Sequence, residues 1–369
     1  MKILFNLASG LPVHGKILEE RSLGGTEAAV IRISEAIIRL NPRAEVTVRS
    51  SLKEIPAGTE SVMGVRYVPL GSDIKVTDFS CIILVQDWRP IIYLPTGLPV
   101  YLWTGDGYEQ NSNMGIGDRR ISGKLAGLIA VSKWHAETLS RASWFPQEKI
   151  HILGNGVADN FFADSSENVN TRIKNRLIYH SAPYRGLREV ISFFSILQKR
   201  LSSSAAGPEL HIYSDMELYR RGMSYQGPHQ NVLDRIKSEA SGMAGLHFHP
   251  TLPHRELAEV LKKSSIFPYP STVEETFCMS LAEAMAAGVV PVVSSRGALP
   301  EVIGENELVV DANLPKDEFN EKFISILEKL LTDDSYLKEM SNRMITRVKK
   351  FYTWDIMAKR FIGIIRGER

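Results

Sequence analysis

Residues 270–293 read PSTVEETFCMSLAEAMAAGVVPVV, and the fold follows from how this stretch is read. It begins as a strand end and loop, turns into a helix of small residues, and reaches Gly288, where a helix C-terminus favours a left-handed residue. Val289, Val290, Val292 and Val293 then supply the β-branched run of a buried parallel strand. This strand–helix–strand unit carries two carboxylates, Glu275 and Glu283, with seven residues between them. Eight helical positions correspond to roughly 12 Å of rise, whereas a glycoside hydrolase sets its carboxyl pair about 5–9.5 Å apart. Carboxylates this far apart suit hydroxyl groups at separated points of one long ligand. The amides of Cys278, Met279 and Ser280 lie between them near the helix start, where an anion such as a phosphate is favoured. Hydroxyls at both ends with phosphate between them describe a nucleotide sugar. A capping Glu275 and a solvated Glu283 account for the same residues equally well.

The chain has 369 residues, too many for one ordinary core, so two domains are expected. Apolar residues at 44% and charged residues at 23% describe a soluble globular protein. A net charge of +2 gives no argument for a nucleic-acid surface. Cys81 and Cys278 stand far apart without metal-ligand spacing, as in a reducing cytoplasm without disulfides. The opening MKILFNLASG reads as a first strand rather than a signal peptide, having no small-residue cleavage site after it. No apolar run approaches the roughly 18 residues of a membrane span.

Strands alternate with helices almost throughout, the pattern of parallel α/β sheets. In the first half, strands are expected at 3–8, 44–48, 81–85, 100–103, 128–131 and 151–153. GGTEAAVIRISEAIIRL, from Gly24 to Leu40, is an amphipathic helix with its start at Gly25 or Thr26. Ser132 is placed to cap the helix that follows the fifth of those strands. The polar run ADSSENVNTRIKN has the composition of a linker, putting a domain boundary near 158–174. A second alternating series follows, with strands at 177–181, 210–213, 246–249, 266–269 and 289–293. Helices are expected at 187–201, 256–263 and 279–287, and from Lys316 to the end. Residues 216–230 show no clear periodicity. The domains are thus 1–160 and 175–350, with a final helix at 351–369.

Beyond the opening stretch, three places carry candidate chemistry. The glycine turn at Gly24–Gly25 lets a phosphate approach the backbone at a helix N-terminus, although its spacing is not the dinucleotide fingerprint. In SAPYRGLREV, Arg185 precedes Gly186 just after a strand, where a guanidinium could hold phosphate in a fork or simply be solvated. Asp106 in WTGDGYEQ follows the Val100–Trp103 strand, at the end where open α/β sheets place ligands, and it could equally cap its own loop. His247 and His249 alternate on one strand with no third ligand at suitable spacing, which favours structural histidines over a metal site.

The arrangement Glu275, Glu283, Ala284, Met285, Ala286, Gly288, Pro291 and Val292 resembles the signature of the retaining, GT-B-fold glycosyltransferases of family 4, the glycosyl transferases group 1. The resemblance covers nearly the whole chain, with its specific motifs concentrated in the second half. It implies two Rossmann-like parallel-sheet domains facing a cleft, the N-terminal one for acceptor and the C-terminal one for nucleotide sugar. It also implies a final helix that crosses back to the first domain. The reaction implied is transfer of a hexose-type sugar from a nucleoside diphosphate, UDP- or GDP-linked, to an acceptor hydroxyl with retention of configuration. Such transfer serves cell-surface polysaccharide or glycoconjugate synthesis and needs no cofactor or metal. Partners are then the nucleotide sugar donor and a carbohydrate or glycolipid acceptor, not nucleic acid.

By this resemblance Glu275, Asp106 and Arg185 act in catalysis. Gly25, Arg185, Phe277, Cys278, Met279, Ser280 and Glu283 hold the donor, with Glu283 on the ribose. The sequence departs from the family twice. Gly105 replaces the histidine that precedes the aspartate in many members. Tyr179, His180 and Ser181 stand where an arginine is expected, so Arg188 is a candidate second cation. These departures keep a second reading open, a non-catalytic protein that only binds nucleotide sugar as part of a larger enzyme. An epimerase or phosphorylase on the same fold is a third. Arg119, Arg120 and Lys124 form a small basic cluster suited to weak contact with the inner face of a membrane, or to a solvated loop.

Overall fold

The computed structural model describes all residues except 9, 22, 164–171, 203–206, 216–231 and 369. The segment 216–230 and most of the polar run after Ala163 therefore lie outside the described residues. The chain divides into two compact units, Met1–Gly156 with Tyr352–Arg369, and Val157–Phe351.

The first unit is built on strands β1 (Lys2–Leu7), β2 (Glu45–Ser50), β3 (Ser61–Val62), β4 (Val65–Pro69), β5 (Cys81–Val85), β6 (Val100–Trp103), β7 (Gly127–Ala130) and β8 (Ile150–Ile152). They form one sheet in the order β3-β4-β2-β1-β5-β6-β7-β8. Apolar runs such as CIILV in β5 are buried along their whole length, because helices cover both faces of a parallel sheet. One strand departs from the expected all-parallel pattern: β3 pairs antiparallel with β4. Met63 and Gly64, both left-handed at φ 53° and 79°, make the two-residue turn between them. The helix Gly25–Leu40 begins one residue after its cap, Gly24, and buries Ile33 and Ile37 completely. The last helix, Trp354–Arg366, packs against it, which is why that helix is apolar on more than one face.

The second unit holds β9 (Arg176–Tyr179), β10 (Glu209–Tyr213), β11 (Leu246–His249), β12 (Ile266–Tyr269), β13 (Val290–Ser294) and β14 (Val309–Val310), in the order β11-β10-β9-β12-β13-β14. All the pairings are parallel. Pro291 sits inside β13 without breaking it. Val290 donates to Ser265 on the β12 side, so position 291 turns its nitrogen the other way, where pairing with β14 begins only at Val293. The helix Met279–Ala286 ends as a Schellman motif. Gly288, at φ 75°, donates to Met285, and Val289 donates to Ala284. The half-buried Arg172 guanidinium donates to the carbonyls of Ala287 and Gly288, placing a cation at that helix end.

In each sheet the chain first adds strands to one side and then returns to the other. The reversal falls between β1 and β5 in the first unit and between β9 and β12 in the second. Ligands of open α/β sheets bind outside the carboxyl ends of the strands at such points.

Candidate functional site

In the second unit, Arg185 and Glu275 follow the two strands that flank the reversal, β9 and β12. Glu275 is only 3% exposed. Its carboxylate accepts from the Arg185 guanidinium on both oxygens, and from the Tyr269 hydroxyl at 2.5 Å. Burial holds the Tyr269 hydroxyl well above its usual range, so it stays a donor. These charge-assisted bonds let the carboxylate remain inside the unit.

The backbone around it is just as constrained. The Glu275 carbonyl accepts from Ala298 at 2.7 Å, and a side chain on Gly297, at φ 60°, would come within 2.2 Å of that carbonyl oxygen. Gly186, at φ 104°, lies so close to Pro270 that a Cβ would stand 2.4 Å from its carbonyl oxygen. Gly186 permits the turn after β9 to close on the one after β12, and Gly297 permits the turn after β13 to do the same.

Phe277 is buried and leads into Cys278, which caps the helix Met279–Ala286 in a left-handed conformation, φ 73° and ψ 87°, with no side-chain cap. That conformation is uncommon away from glycine and concentrates at functional turns. Burial pushes the Cys278 thiol up, so it is not a thiolate. The first-turn amides of Met279 and Ser280 follow. Ser280 is fixed from β9: its hydroxyl donates to the His180 carbonyl at 3.3 Å, and its own carbonyl lies 3.0 Å from His180 Nε2. Burial lowers His180 to about 4, so it is neutral at pH 7 and cannot replace the missing arginine as a cation.

Glu283, one turn into the helix, is 7% exposed and has no hydrogen-bond donor among the described residues. The reading as a solvated carboxylate is therefore excluded. Burial raises its pKa to about 8, so most of it carries a proton at pH 7. Arg188 is engaged elsewhere, donating to both oxygens of Glu239 at 2.8 Å.

In the first unit, Gly25 is exposed at the start of its helix, and Asp106 lies after β6. Gln86 links them: its amide nitrogen is 3.4 Å from Thr26 Oγ1 and 3.5 Å from Asp106 Oδ1. It stands just past β5 at φ 64°, again left-handed without being glycine. Ser112 donates to Asp106 Oδ2 at 2.7 Å. Burial nevertheless raises the Asp106 carboxyl, against the lowering by Ser112 and Gln86.

His135 Nε2 lies 2.8 Å from the Asp106 carbonyl, and its Nδ1 accepts from Val131 at 3.3 Å, which fixes the tautomer. With a pKa lowered to about 4 by burial, this histidine supports the loop as a neutral ring. Glu27 ties the glycine-bearing loop to the helix start. Its Oε1 accepts from the Leu11 amide at 2.8 Å, and Gly24 passes so close that a Cβ would stand 2.5 Å from Oε2. Gln86 and Tyr269 carry no motif that marks them in the sequence, and Glu27 stands inside the GGTE turn, where only the glycine is singled out. The position of Gln86 and Tyr269 at the carboxyl ends of parallel strands is the available signal.

The structure thus gathers Arg185, Glu275, Phe277–Ser280 and Glu283 in one unit and Gly25 with Asp106 in the other. His249 lies outside both groups, with Nε2 3.0 Å from His211 Nδ1 and its ring stacked on Tyr213. Among the described residues no group of three or more His, Cys, Asp or Glu side chains gathers as metal ligands would. No described helix is long and apolar enough to cross a membrane.

Comparison with known proteins places these features. Residues 176–351 match the family described as glycosyl transferases group 1. The chain is 27% identical over 239 residues to one component of the phosphatidylinositol N-acetylglucosaminyltransferase of Arabidopsis thaliana, covering 63% of this chain and 47% of that protein. It is 23% identical over 252 residues to the MMP alpha-(1->4)-mannosyltransferase of Mycolicibacterium hassiacum, covering 67% and 55%. The chain spans about half the length of these relatives. Among solved structures, sucrose-phosphate synthase from Thermosynechococcus elongatus superposes with a TM-score of 0.73 at 13% identity, covering 100% of this chain and 98% of that one. Anabaena HepE in complex with UDP and glucose gives 0.70 at 13% identity, covering both chains fully. Residues 176–351 therefore resemble the glycosyl transferases group 1, in a chain with the fold of the GT-B glycosyltransferases.

Proposed function

We propose that the protein is a retaining glycosyltransferase that moves a hexose-type sugar from a UDP- or GDP-linked donor to the hydroxyl of a carbohydrate or glycolipid acceptor. The observation that carries this reading is Glu275, a buried carboxylate held by Arg185 and Tyr269 within three residues of a helix cap whose first-turn amides remain for an anion. The relatives' names supply the reaction class, since they include a mannosyltransferase and a component of an N-acetylglucosaminyltransferase.

In the reaction, the bond from the sugar C1 to the diphosphate oxygen breaks and a bond from C1 to the acceptor oxygen forms. The acceptor proton passes to the departing diphosphate. Negative charge grows on that diphosphate, and Arg185 with the amides of Cys278, Met279 and Ser280 meets it; the Gly25 amide is assigned the same task. For this Arg185 must exchange one partner, Glu275, for phosphate. Glu275 is then freed to hold sugar hydroxyls and to favour partial positive charge at C1. Glu283 takes the ribose hydroxyls, and Asp106 bonds the transferred sugar or the acceptor.

Release of nucleoside diphosphate, measured with and without acceptor across a panel of nucleotide sugars, tests the class. Acceptor-dependent release is expected; conversion of the donor without acceptor would replace transfer by epimerisation. Glu275→Gln should lower kcat by about 10²–10³, the loss typical of removing one transition-state contact. A variant that turns over at the wild-type rate would remove Glu275 from the mechanism. Tight donor binding with no turnover on any acceptor would favour the non-catalytic, binding-only reading.

A further inference from the structure

One flank of the first unit is unlike the rest of its surface. Seven large apolar side chains are exposed among the described residues, and four of them, Ile92, Tyr93, Met114 and Trp144, belong to segments that touch one another. Trp88 Nε1 donates to the Met114 carbonyl at 2.9 Å and Arg89 donates to the Asn111 carbonyl at 2.9 Å, which seats the loop 111–114 against the turn that ends in Ile92 and Tyr93. The same loop continues to Gly117, where a Cβ would fall 1.5 Å from the Ser143 carbonyl oxygen, beside Trp144. Trp144 is 86% exposed and Tyr93 87%.

Their exposure is built in rather than incidental. Trp144 ends the helix Lys133–Ser143 in the left-handed region, at φ 61°, a place where glycine would be the undemanding choice. This turn sends Phe145 into the core at 1% exposure and leaves the indole outside. Cations stand on the neighbouring segments, Arg141 in the helix that Trp144 ends and Lys124 beside Leu94. Arg119, Lys124 and Arg141 are exposed and make no ion pair among the described residues. Gly123 and Lys124 share a shallow depression with Leu94, Pro95 and Leu98.

We propose that this flank docks on the surface of an anionic lipid bilayer. Tyrosine and tryptophan, each with an apolar body and a polar tip, partition to the headgroup level of membranes. Cations without an ion pair among the described residues complement anionic lipid, and two aromatic side chains this exposed are unusual on a surface meant only for water. The basic cluster at 119–124 supplies half of the site, and Tyr93 and Trp144 supply the half that enters the interface.

The test is co-sedimentation of the full chain with vesicles of phosphatidylcholine alone and of phosphatidylcholine with phosphatidylglycerol, at low and high salt. Binding is expected only with phosphatidylglycerol and should weaken as salt screens the charges. Arg119→Gln with Lys124→Gln should weaken it roughly 30-fold, as about 1 kcal/mol per cation predicts. Trp144→Ser and Tyr93→Ser, both at exposed sites and expected to leave the thermal midpoint unchanged, should each reduce binding. Trp144→Ser should also abolish a blue shift of tryptophan fluorescence on vesicle addition. The proposal is overturned if the chain does not bind these vesicles, or if it binds and the four substitutions leave binding unchanged. It is equally overturned if Trp144→Ser instead changes the oligomeric state without lipid, which would make the flank a protein interface.

Discussion

The Glu283 carboxyl, raised to about 8 in the folded state, binds its proton more tightly than in the unfolded chain, whose value is 4.5. Its contribution therefore makes the fold lose stability as pH rises between those two values, by a few kcal/mol in all. Glu283→Gln should flatten this part of the pH profile of thermal unfolding and raise the midpoint most near pH 8. Two ribose hydroxyls donating to the carboxylate would favour its charged form, so donor binding at pH 7 should release a proton. Calorimetry in buffers of different ionisation enthalpy measures that release, and it should vanish in Glu283→Gln. A wild-type binding enthalpy independent of buffer would show that Glu283 stays protonated or lies apart from the ligand. The spacing of this residue from Glu275 is legible in the sequence, and so is its place within the helix. Its burial is not, because small helices of alanine are buried or exposed according to what lies above them. Here the helix Asp334–Phe351 lies against it.

At the scale of elements, most boundaries are legible because the signals are local. Short strand signals, from the buried run CIILV in β5 to the alternating LHFH of β11, give β5, β6, β11 and β12 residue for residue, and Gly288 marks its helix end through the left-handed position that only glycine fills without cost. The pair β3–β4 escapes such reading, since strands of two and five residues joined by a two-residue turn are too short to give a clear period. Gly297 escapes it for another reason: its partner, the Glu275 backbone, is 22 residues away in sequence. This contact makes a sharp prediction. Gly297→Ala forces a side chain into left-handed backbone, at roughly 1–2 kcal/mol, and into the Glu275 carbonyl as well. The midpoint of unfolding should fall, and donor affinity should fall with it as Glu275 shifts. Gly242→Ala, also left-handed at φ 81° but with nothing within 4 Å of the added Cβ, is the matched control: it should share the backbone strain and leave donor affinity unchanged. Equal effects of the two substitutions would mean that the packing around Glu275 is not what sets its position.

At the scale of the molecule, the first unit is assembled from two distant pieces of chain, Met1–Gly156 and Tyr352–Arg369. The apolar spacing of Trp354, Met357 and Phe361 announces a buried helix, but only the resemblance says which core receives it. The structure puts Phe361, fully buried, with its ring 5.5 Å from that of Phe5 in β1. Trp354 packs on Gly156, where a Cβ would stand 2.6 Å from the indole, and Arg39 and Asp355 pair on the surface. The last helix therefore completes the core under β1 rather than decorating the unit that precedes it in sequence. Phe361→Ala should cost about 3–5 kcal/mol, as for other buried aromatics. The loss should be local: amides of β1 and of the Gly25–Leu40 helix should lose hydrogen-exchange protection, while those of β12 and β13 keep theirs. Because that helix begins at Gly25, the same substitution should also loosen the glycine turn assigned to the donor diphosphate, raising the KM for donor before kcat falls. Loss of protection spread evenly over both sheets would show instead that the two units unfold as one, and would separate the last helix from any control of the turn.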